Sequence, residues 1–193
     1  MPVRVLLSRA LSVVRAHPKV LLGIVAFAAV AGVAAVQGPG TEEAFYSRWG
    51  ADPENLPYRP DVNARVAVDQ GKARAASSRK ILMVTFGANW CPDCLTLQKN
   101  LRASSTRRYA EEHFEMVHID VGDAAHTAQV QRDLGITVRS IPLAVFYSPD
   151  GELVGDTFGG ELEASRHYSS REILDFLREV VDYHRVVSPD QRQ

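Results

Sequence analysis

The stretch Phe86-Gly-Ala-Asn-Trp-Cys-Pro-Asp-Cys94 decides the fold, because it places a Cys-x-x-Cys pair where a buried strand ends and a helix begins. Residues 80–86 read Lys-Ile-Leu-Met-Val-Thr-Phe, an apolar run typical of a strand covered on both faces. Residues 92–101 open on a proline, which a helix accepts in its first turn. The stretch therefore predicts a strand, a loop and a helix with both cysteines at the helix N-terminus.

This position favours reactivity at the first cysteine. Unpaired backbone N–H groups and the positive end of the helix dipole stabilise a thiolate at Cys91, so its pKa is expected below the value of about 8.5 for a free thiol. Cys94 lies one turn further along and is expected to stay a thiol until it attacks Cys91. We therefore predict a catalytic pair that exchanges dithiol for disulfide, with no cofactor beyond its own disulfide and no metal.

The surrounding pattern predicts an α/β domain over residues 62–187, with a mixed central sheet flanked by helices on both faces. Periodicity and turn signals set its elements. The expected elements are a helix at 62–76, strands at 80–86 and 114–120, helices at 92–101 and 127–134, strands at 143–147 and 152–155, and a final helix that begins at the capping-box sequence of residues 169–172.

An apolar segment precedes this domain. Residues 1–19 contain four basic and no acidic side chains, and residues 20–36 contain no charged side chain. Seventeen residues at the helical rise span roughly 25 Å, slightly less than the hydrocarbon core of a bilayer. Because basic residues flank membrane helices on the cytoplasmic side, we expect a cytoplasmic segment at 1–19 and an N-terminal membrane helix at 20–36.

This arrangement predicts a single-pass protein of the inner (cytoplasmic) membrane whose catalytic domain is periplasmic or otherwise extracytoplasmic. Cleavage near Ala29-Val30-Ala31, with secretion to the periplasm, is the open alternative. Residues 37–61 contain four prolines, of which Pro53, Pro57 and Pro60 interrupt any helical pattern, and predict a linker, in which 41–49 are compatible with a short helix. Residues 188–193 form a tail.

Charge and histidine spacing narrow the classes of function. Beyond residue 36 the chain has 18 basic and 23 acidic side chains, with no basic stripe interleaved with aromatic residues, which excludes nucleic-acid binding. Two cysteines are too few for a four-thiolate zinc site. The spacing of His113 and His118 does not place them on one face with the cysteines, so both are expected as surface or half-buried strand residues.

The motif Trp-Cys-Pro-Asp-Cys after Val-Thr-Phe-Gly-Ala resembles the active site of the thioredoxin superfamily. The downstream stretch 134–146, Leu-Gly-Ile-Thr-Val-Arg-Ser-Ile-Pro-Leu-Ala-Val-Phe, is similar to the approach to that family's cis-proline loop. The short interval between the two motifs is similar to thioredoxin itself or to the C-terminal domain of transmembrane thiol:disulfide interchange proteins. The resemblance implies a thioredoxin-like fold.

The resemblance also implies a substrate-binding surface around the dithiol. It implies a cis peptide bond between Ile141 and Pro142, with the Ile141 backbone turned outward to pair with an extended substrate. It assigns Trp90 to the docking surface beside the sulfurs. The expected substrate-binding residues are Trp90, Pro92, Asp93, Ile141 and Pro142.

The sequence departs from the family at three positions. Thr85 stands where many thioredoxins bury a carboxylate that moves the second thiol's proton, and Met116 stands where they set a facing lysine. How Cys94 loses its proton is therefore open. Asp93 adds a negative charge beside Cys91 and is expected to oppose thiolate formation. This favours a potential nearer the roughly −270 mV of thioredoxin than the roughly −120 mV of strong oxidants.

These features predict a monomeric thiol:disulfide oxidoreductase that acts on protein thiols and disulfides outside the cytoplasm, as a reductant or electron relay. Its second partner is expected to be a membrane or extracytoplasmic electron donor. Two alternatives are open. The same dithiol suits a disulfide oxidant or isomerase, and thiolates also suit Cu(I) in a non-enzymatic carrier or assembly module.

Overall fold

The computed structural model describes residues 40–187, and within them the chain divides into two units between residues 45 and 46. The predicted segments at 1–19, 20–36 and 188–193 lie outside the described residues. Among the residues that are described, no helix has the length and apolar character needed to cross a membrane.

The elements follow the predicted order, with additions. The helices are α1 (Gly40–Arg48), α2 (Ala64–Ser78), α3 (Pro92–Leu101), α4 (Ser104–His113), α5 (Ala124–Leu134) and α6 (Ser170–Val187). The strands are β1 (Ile81–Gly87), β2 (Phe114–Asp120), β3 (Leu143–Tyr147) and β4 (Leu153–Asp156), and a 3₁₀ turn covers Ser165–His167.

Side-chain caps shift two of the predicted helix starts. The Asn63 side chain accepts the Val66 N–H, so α2 begins at Ala64 rather than at 62. The Asp123 side chain accepts the His126 N–H, so α5 begins three residues before the predicted Thr127. Helix α4 was not predicted, because its sequence is polar and only Thr106 and Ala110 are buried. The predicted capping box of α6 is confirmed by reciprocal hydrogen bonds between Ser169 and Glu172.

The four strands form one mixed sheet in the order β2-β1-β3-β4. Strands β1 and β2 are parallel, whereas β1–β3 and β3–β4 are antiparallel. Strand β1 is buried along its whole length, as its apolar run predicts. Because successive side chains alternate between faces, Leu82, Val84 and Phe86 pack under α2 and α5, while Ile81 and Met83 pack under α3, α4 and α6. The predicted mixed sheet with helices on both faces is confirmed.

A glycine within α2 marks the closest approach of that helix to the sheet. Gly71 is buried, and a Cβ atom added there would lie 2.7 Å from Val117 Cγ2 and 3.0 Å from Leu82 Cδ1. The helix tolerates the low helix propensity of glycine because any larger residue would push it off the sheet.

The topology brings three chain segments to one edge of the sheet. The β1 end residue Gly87 pairs with Asp120 at the end of β2, and Phe86 pairs with Leu143 at the start of β3. The loop that follows β1 therefore lies beside the loop after β2 and beside Pro142, which immediately precedes β3. The functional site is built at this edge.

Candidate active site

Cys91 and Cys94 lie at the junction of β1 and α3, where the sequence places them. Cys91 has an extended backbone and is the N-cap of α3, and its Sγ accepts the Cys94 N–H at 3.1 Å. Pro92 occupies the first turn and lacks an N–H that would need a partner. The two cysteines form a disulfide with their Cα atoms 5.2 Å apart.

Burial differs between the two cysteines in the expected sense. Cys94 is fully buried, whereas Cys91 keeps 4% of its surface exposed. Trp90 itself is 62% exposed. Its indole Nε1 donates to the Gly122 carbonyl at 3.2 Å, which holds the ring at the edge of the sheet.

The second loop of the site carries a cis peptide bond between Ile141 and Pro142, the isomer that the resemblance implies. Ile141 is partly buried and packs against a small cluster formed by Tyr58, Cys91 and Cys94. Pro142 is buried, and Pro92 is half-buried at the start of α3. The structure thus brings Ile141 into contact with the dithiol cluster, while Trp90 supplies exposed apolar surface beside it.

Asp93 does not lie on this surface, which corrects the prediction that it binds substrate. It is 4% exposed, and its carboxylate accepts the Arg166 backbone N–H at 2.9 Å and the Arg166 Nε–H at 3.0 Å. The 3₁₀ turn between β4 and α6 brings Arg166 to this position. Asp93 therefore anchors that turn to α3, and its charge is compensated rather than left bare beside Cys91.

The pKa of Asp93 reflects this pairing. Burial raises the pKa of the Asp93 carboxyl, but hydrogen bonds and charge attraction from Arg166 outweigh burial and hold the pKa below its usual value. The carboxylate is therefore ionised and paired at neutral pH. The expectation that Asp93 opposes a Cys91 thiolate loses most of its basis, because a compensated charge has little effect at a distance.

The predicted linker is wrong at its C-terminal end, because Tyr58 belongs to the site. The Tyr58 side chain is only 1% exposed and packs against the two cysteines. The Asn89 side chain pairs with both the N–H and the carbonyl of Tyr58, at 3.2 and 2.6 Å. A Cβ atom at Gly87 would lie 2.4 Å from Tyr58 Cζ, so glycine at the end of β1 leaves the space for this ring.

Beneath the dithiol lies a group of polar side chains on the face of the sheet that α3 covers. Thr85 is fully buried on β1, and its Oγ1 lies 2.6 Å from Nδ1 of His118, its register partner on β2. Gln98 Nε2 lies 3.2 Å from the same His118 Nδ1 and 3.3 Å from Tyr58 Oη. We call these four residues, Tyr58, Thr85, Gln98 and His118, the polar network.

The pKa values of Tyr58 and His118 leave both of these side chains of the polar network uncharged at neutral pH. Burial raises the pKa of Tyr58 to about 12, although hydrogen bonding to Gln98 and Thr85 acts in the opposite direction. Burial, aided by the positive charge of Arg102, lowers the pKa of His118 to about 4. At neutral pH the network therefore holds an intact phenol and an uncharged imidazole.

His118 is a half-buried strand residue, as predicted, but the expectation that it does not share a face with the cysteines is wrong, because its ring meets Gln98 on the side of the sheet that α3 covers. Two features of the sequence, once the strands are paired, indicate that His118 lies on the side of the sheet that α3 covers. The Thr85–His118 pairing follows from the parallel register of β1 and β2, and Gln98 lies four residues after Cys94, on the same face of α3. The sequence carries no comparable signal for Tyr58, because only the fold returns residue 58 to the dithiol.

Within residues 40–187 there is no group of three or more histidine, cysteine, aspartate or glutamate side chains that could hold a metal ion. The Cu(I) interpretation therefore depends on the two sulfurs alone.

Comparison with known proteins decides the family. A family model described as "Thioredoxin-like" matches residues 63–149. The chain is 34% identical to a crystal structure described as a disulphide isomerase from Xylella fastidiosa Temecula1, over 66% of this chain and 98% of that one, with a TM-score of 0.61.

The chain belongs to the thioredoxin-like family. A thioredoxin from Thermus thermophilus is also similar, at 22% identity over 65% of this chain and 92% of that one, with a TM-score of 0.46. No curated protein matches the chain. With a thioredoxin-like fold and a Cys-x-x-Cys disulfide at the head of α3, the protein is a thiol:disulfide oxidoreductase.

The Asp93–Arg166 pair of this thioredoxin-like protein gives a pH-dependent prediction. We expect Asp93→Asn to lower the free energy of unfolding by about 1–2 kcal/mol near pH 7. The substitution removes the negative charge from a buried hydrogen-bonded pair, and the loss is limited because the Arg166 side chain stays partly exposed to water. The Asp93 pKa is lower in the folded than in the unfolded state, so the difference is complete above about pH 5 and shrinks as the pH falls through the folded-state pKa. Urea unfolding at a series of pH values measures it.

The matched control is Asp175→Asn on α6, which breaks an Arg–Asp pair whose aspartate side chain is 49% exposed. The Asp175→Asn variant is expected to lose less than about 0.5 kcal/mol of its free energy of unfolding. Equal losses in the two variants, or a loss at Asp93 that does not depend on pH, would contradict a buried pair.

Proposed function

We propose that the protein exchanges the Cys91–Cys94 dithiol and disulfide with protein substrates outside the cytoplasm, chiefly as a reductant or electron relay. The observation that carries this proposal is the Cys91 sulfur at the N-terminus of α3, where it accepts the Cys94 N–H at 3.1 Å. A backbone donor at this distance stabilises a thiolate more than a thiol.

The exchange proceeds in two balanced steps. In the first, the Cys91 thiolate attacks a substrate disulfide, so a mixed disulfide forms and one substrate thiolate leaves. In the second, Cys94 loses its proton and attacks Cys91, which forms the Cys91–Cys94 disulfide and releases the other substrate thiolate. The substrate gains two electrons and the protein loses them. The reverse sequence oxidises a dithiol.

Substrate docking is proposed at the rim of the dithiol. Trp90 offers exposed apolar surface, and Ile141 contacts the dithiol cluster from the loop before β3. Pro92, half-buried at the head of α3, completes this rim, and Pro142, which is buried, supports Ile141 from behind as the next residue in the chain. An extended peptide that lies along the Ile141 backbone would bring its disulfide to the exposed edge of Cys91.

The proposed compartment rests on the sequence. The basic segment 1–19 followed by the uncharged segment 20–36 favours export of everything after residue 36. An oxidising compartment is also where substrate disulfides persist. The electron donor that restores the dithiol is then a membrane or extracytoplasmic protein.

Replacing Cys94 with Ser tests the two-step exchange. The variant keeps the attacking thiolate and lacks the second thiol, so mixed disulfides with protein substrates should accumulate. Affinity capture of the full-length variant from its own extracytoplasmic fraction, followed by non-reducing electrophoresis and identification of the adducts, measures this.

The matched control is Cys91→Ser, which leaves only the buried sulfur and should capture few or no adducts. If the Cys94→Ser variant yields no more adducts than this control, the proposed exchange is wrong.

An isomerase or oxidant is the second candidate function, because the Xylella fastidiosa relative is described as a disulphide isomerase. Two features favour a reductant instead. The residues between the cysteines include no histidine to stabilise the thiolate, and the nearby cation Arg166 is already paired with Asp93. A less stabilised thiolate makes a stronger reductant.

The reduction potential separates these candidates. We expect a value below about −180 mV, on the thioredoxin side of the value for protein disulfide isomerase. Equilibration with glutathione buffers, followed by alkylation of free thiols and mass analysis, measures it. A potential at or above about −180 mV would favour the isomerase or oxidant.

A further inference from the structure

The second exchange step needs a route for the Cys94 proton, and the residues that the structure describes place a neutral side chain at the expected acceptor position. Cys94 is fully buried, so water reaches its thiol poorly. Burial in apolar surroundings also raises the pKa of a thiol, so the proton does not leave unaided near neutral pH. Thr85, at the position of the family's carboxylate, cannot hold that proton itself.

The polar network lies directly below this thiol. Gln98 follows Cys94 by four residues on α3, so the two side chains are neighbours on one helix face. Tyr58 packs against both cysteines and meets Gln98 through its hydroxyl at 3.3 Å. Thr85 and His118 continue the network with an Oγ1–Nδ1 distance of 2.6 Å.

The hydrogen-bond donors in the polar network determine which atoms of their neighbours must accept. The Gln98 Nε2 group can only donate, so the His118 Nδ1 that faces it must accept, and the imidazole proton lies on Nε2. The Thr85 hydroxyl can then donate to His118 Nδ1 at 2.6 Å in preference to the Val117 carbonyl at 3.4 Å, and the Tyr58 hydroxyl, whose pKa a hydrogen bond with Thr85 lowers, can donate to Thr85. His118 is half-buried, so its ring joins the buried hydroxyls to solvent.

We propose that Tyr58, Thr85 and His118 relay the Cys94 proton to solvent during the second exchange step, while Gln98 holds the relay in place. This inference rests on the proposed function and deepens it. As the Cys94 S–H bond breaks, Tyr58 Oη takes the proton and passes its own to Thr85 Oγ1, which passes its proton to His118 Nδ1. His118 then releases its Nε2 proton to solvent.

The electrons balance in the same step. The pair from the Cys94 S–H bond forms the Cys94–Cys91 bond, and the bond between Cys91 and the substrate sulfur breaks. The substrate leaves as a thiolate and takes a proton from solvent, so no further oxidant or reductant is needed.

The charged groups around the polar network disfavour a proton that stays on His118, which suits transfer of the proton through the network to solvent. Arg102, just after α3, lowers the pKa of both Tyr58 and His118, and Asp120, two residues along β2, raises that of Tyr58. His126 in turn faces Asp120, with a closest distance of 4.0 Å. Because a charged imidazole is disfavoured here, His118 is left neutral with its proton on Nδ1. When the Cys91–Cys94 disulfide is next reduced, His118 takes a proton at Nε2 and returns the Nδ1 proton through Thr85 and Tyr58 to Cys94, which restores the starting tautomer.

Tyr58→Phe and Thr85→Val test the relay, since each removes one hydroxyl and keeps the shape of the side chain. Reduced full-length protein is mixed with a peptide disulfide, and samples are quenched in acid so that the mixed disulfide and the oxidised protein are counted separately. We expect both variants to slow the second step by about tenfold or more at pH 7, with the first step unchanged. The second step should then accelerate with rising pH in the variants more steeply than in the wild type.

Two controls separate a relay from a structural role. Thr85→Ser restores the hydroxyl and should recover most of the rate of the second step. Tyr109→Phe removes the hydroxyl of a half-buried tyrosine on α4, outside the network, and should leave both steps unchanged.

The outcomes distinguish this inference from the proposed function. If the wild type forms no mixed disulfide, the proposed function fails. If the mixed disulfide forms and both Tyr58→Phe and Thr85→Val complete the second step at the wild-type rate, or slow both steps alike, only the relay is overturned. Slowing that is confined to the second step and reversed by Thr85→Ser supports it.

Discussion

The structure depends on the position of one sulfur atom, that of Cys91 at the N-cap of α3, 3.1 Å from the Cys94 N–H. Strand β1 is buried on both faces, so the end of that strand is fixed, and the helix that follows must begin within a few residues. Pro92 starts the helix without adding an unpaired donor. The Cys94 N–H then donates to the sulfur, and with the positive end of the helix dipole it makes this helix end a binding site for a thiolate.

The groups around that sulfur are arranged so that the helix end dominates its electrostatics. Asp93 would oppose a thiolate, but Arg166 compensates its charge from the 3₁₀ turn before α6. By the family resemblance, Thr85 and Met116 stand where a buried charged pair would be, and Thr85 instead contacts the neutral ring of His118 at 2.6 Å. Removing both charges together avoids the cost of one unpaired ion in the core. The site therefore combines a positive helix end with neutral surroundings.

Local signals in the sequence were sufficient for the elements and for the dithiol. The apolar run of β1, the Cys-x-x-Cys spacing and the proline of α3 predict the junction, because each acts on its immediate neighbours. The residues that sequence reasoning misplaced depend on long-range packing. Tyr58 reaches the cysteines through Asn89 and through the space at Gly87, and Asp93 meets Arg166 from 73 positions away. Neither contact has a periodic or spacing signal, so only the folded chain shows them.

Titration of the Cys91 thiol in the reduced full-length protein tests the central claim most directly. The ultraviolet absorbance of the thiolate is followed against pH, with the Cys94→Ser variant assigning the signal to Cys91. A midpoint at least one pH unit below the value of about 8.5 for a free thiol is expected if the end of α3 stabilises the thiolate. A midpoint at or above about 8.5 would contradict that stabilisation and the chemistry built on it.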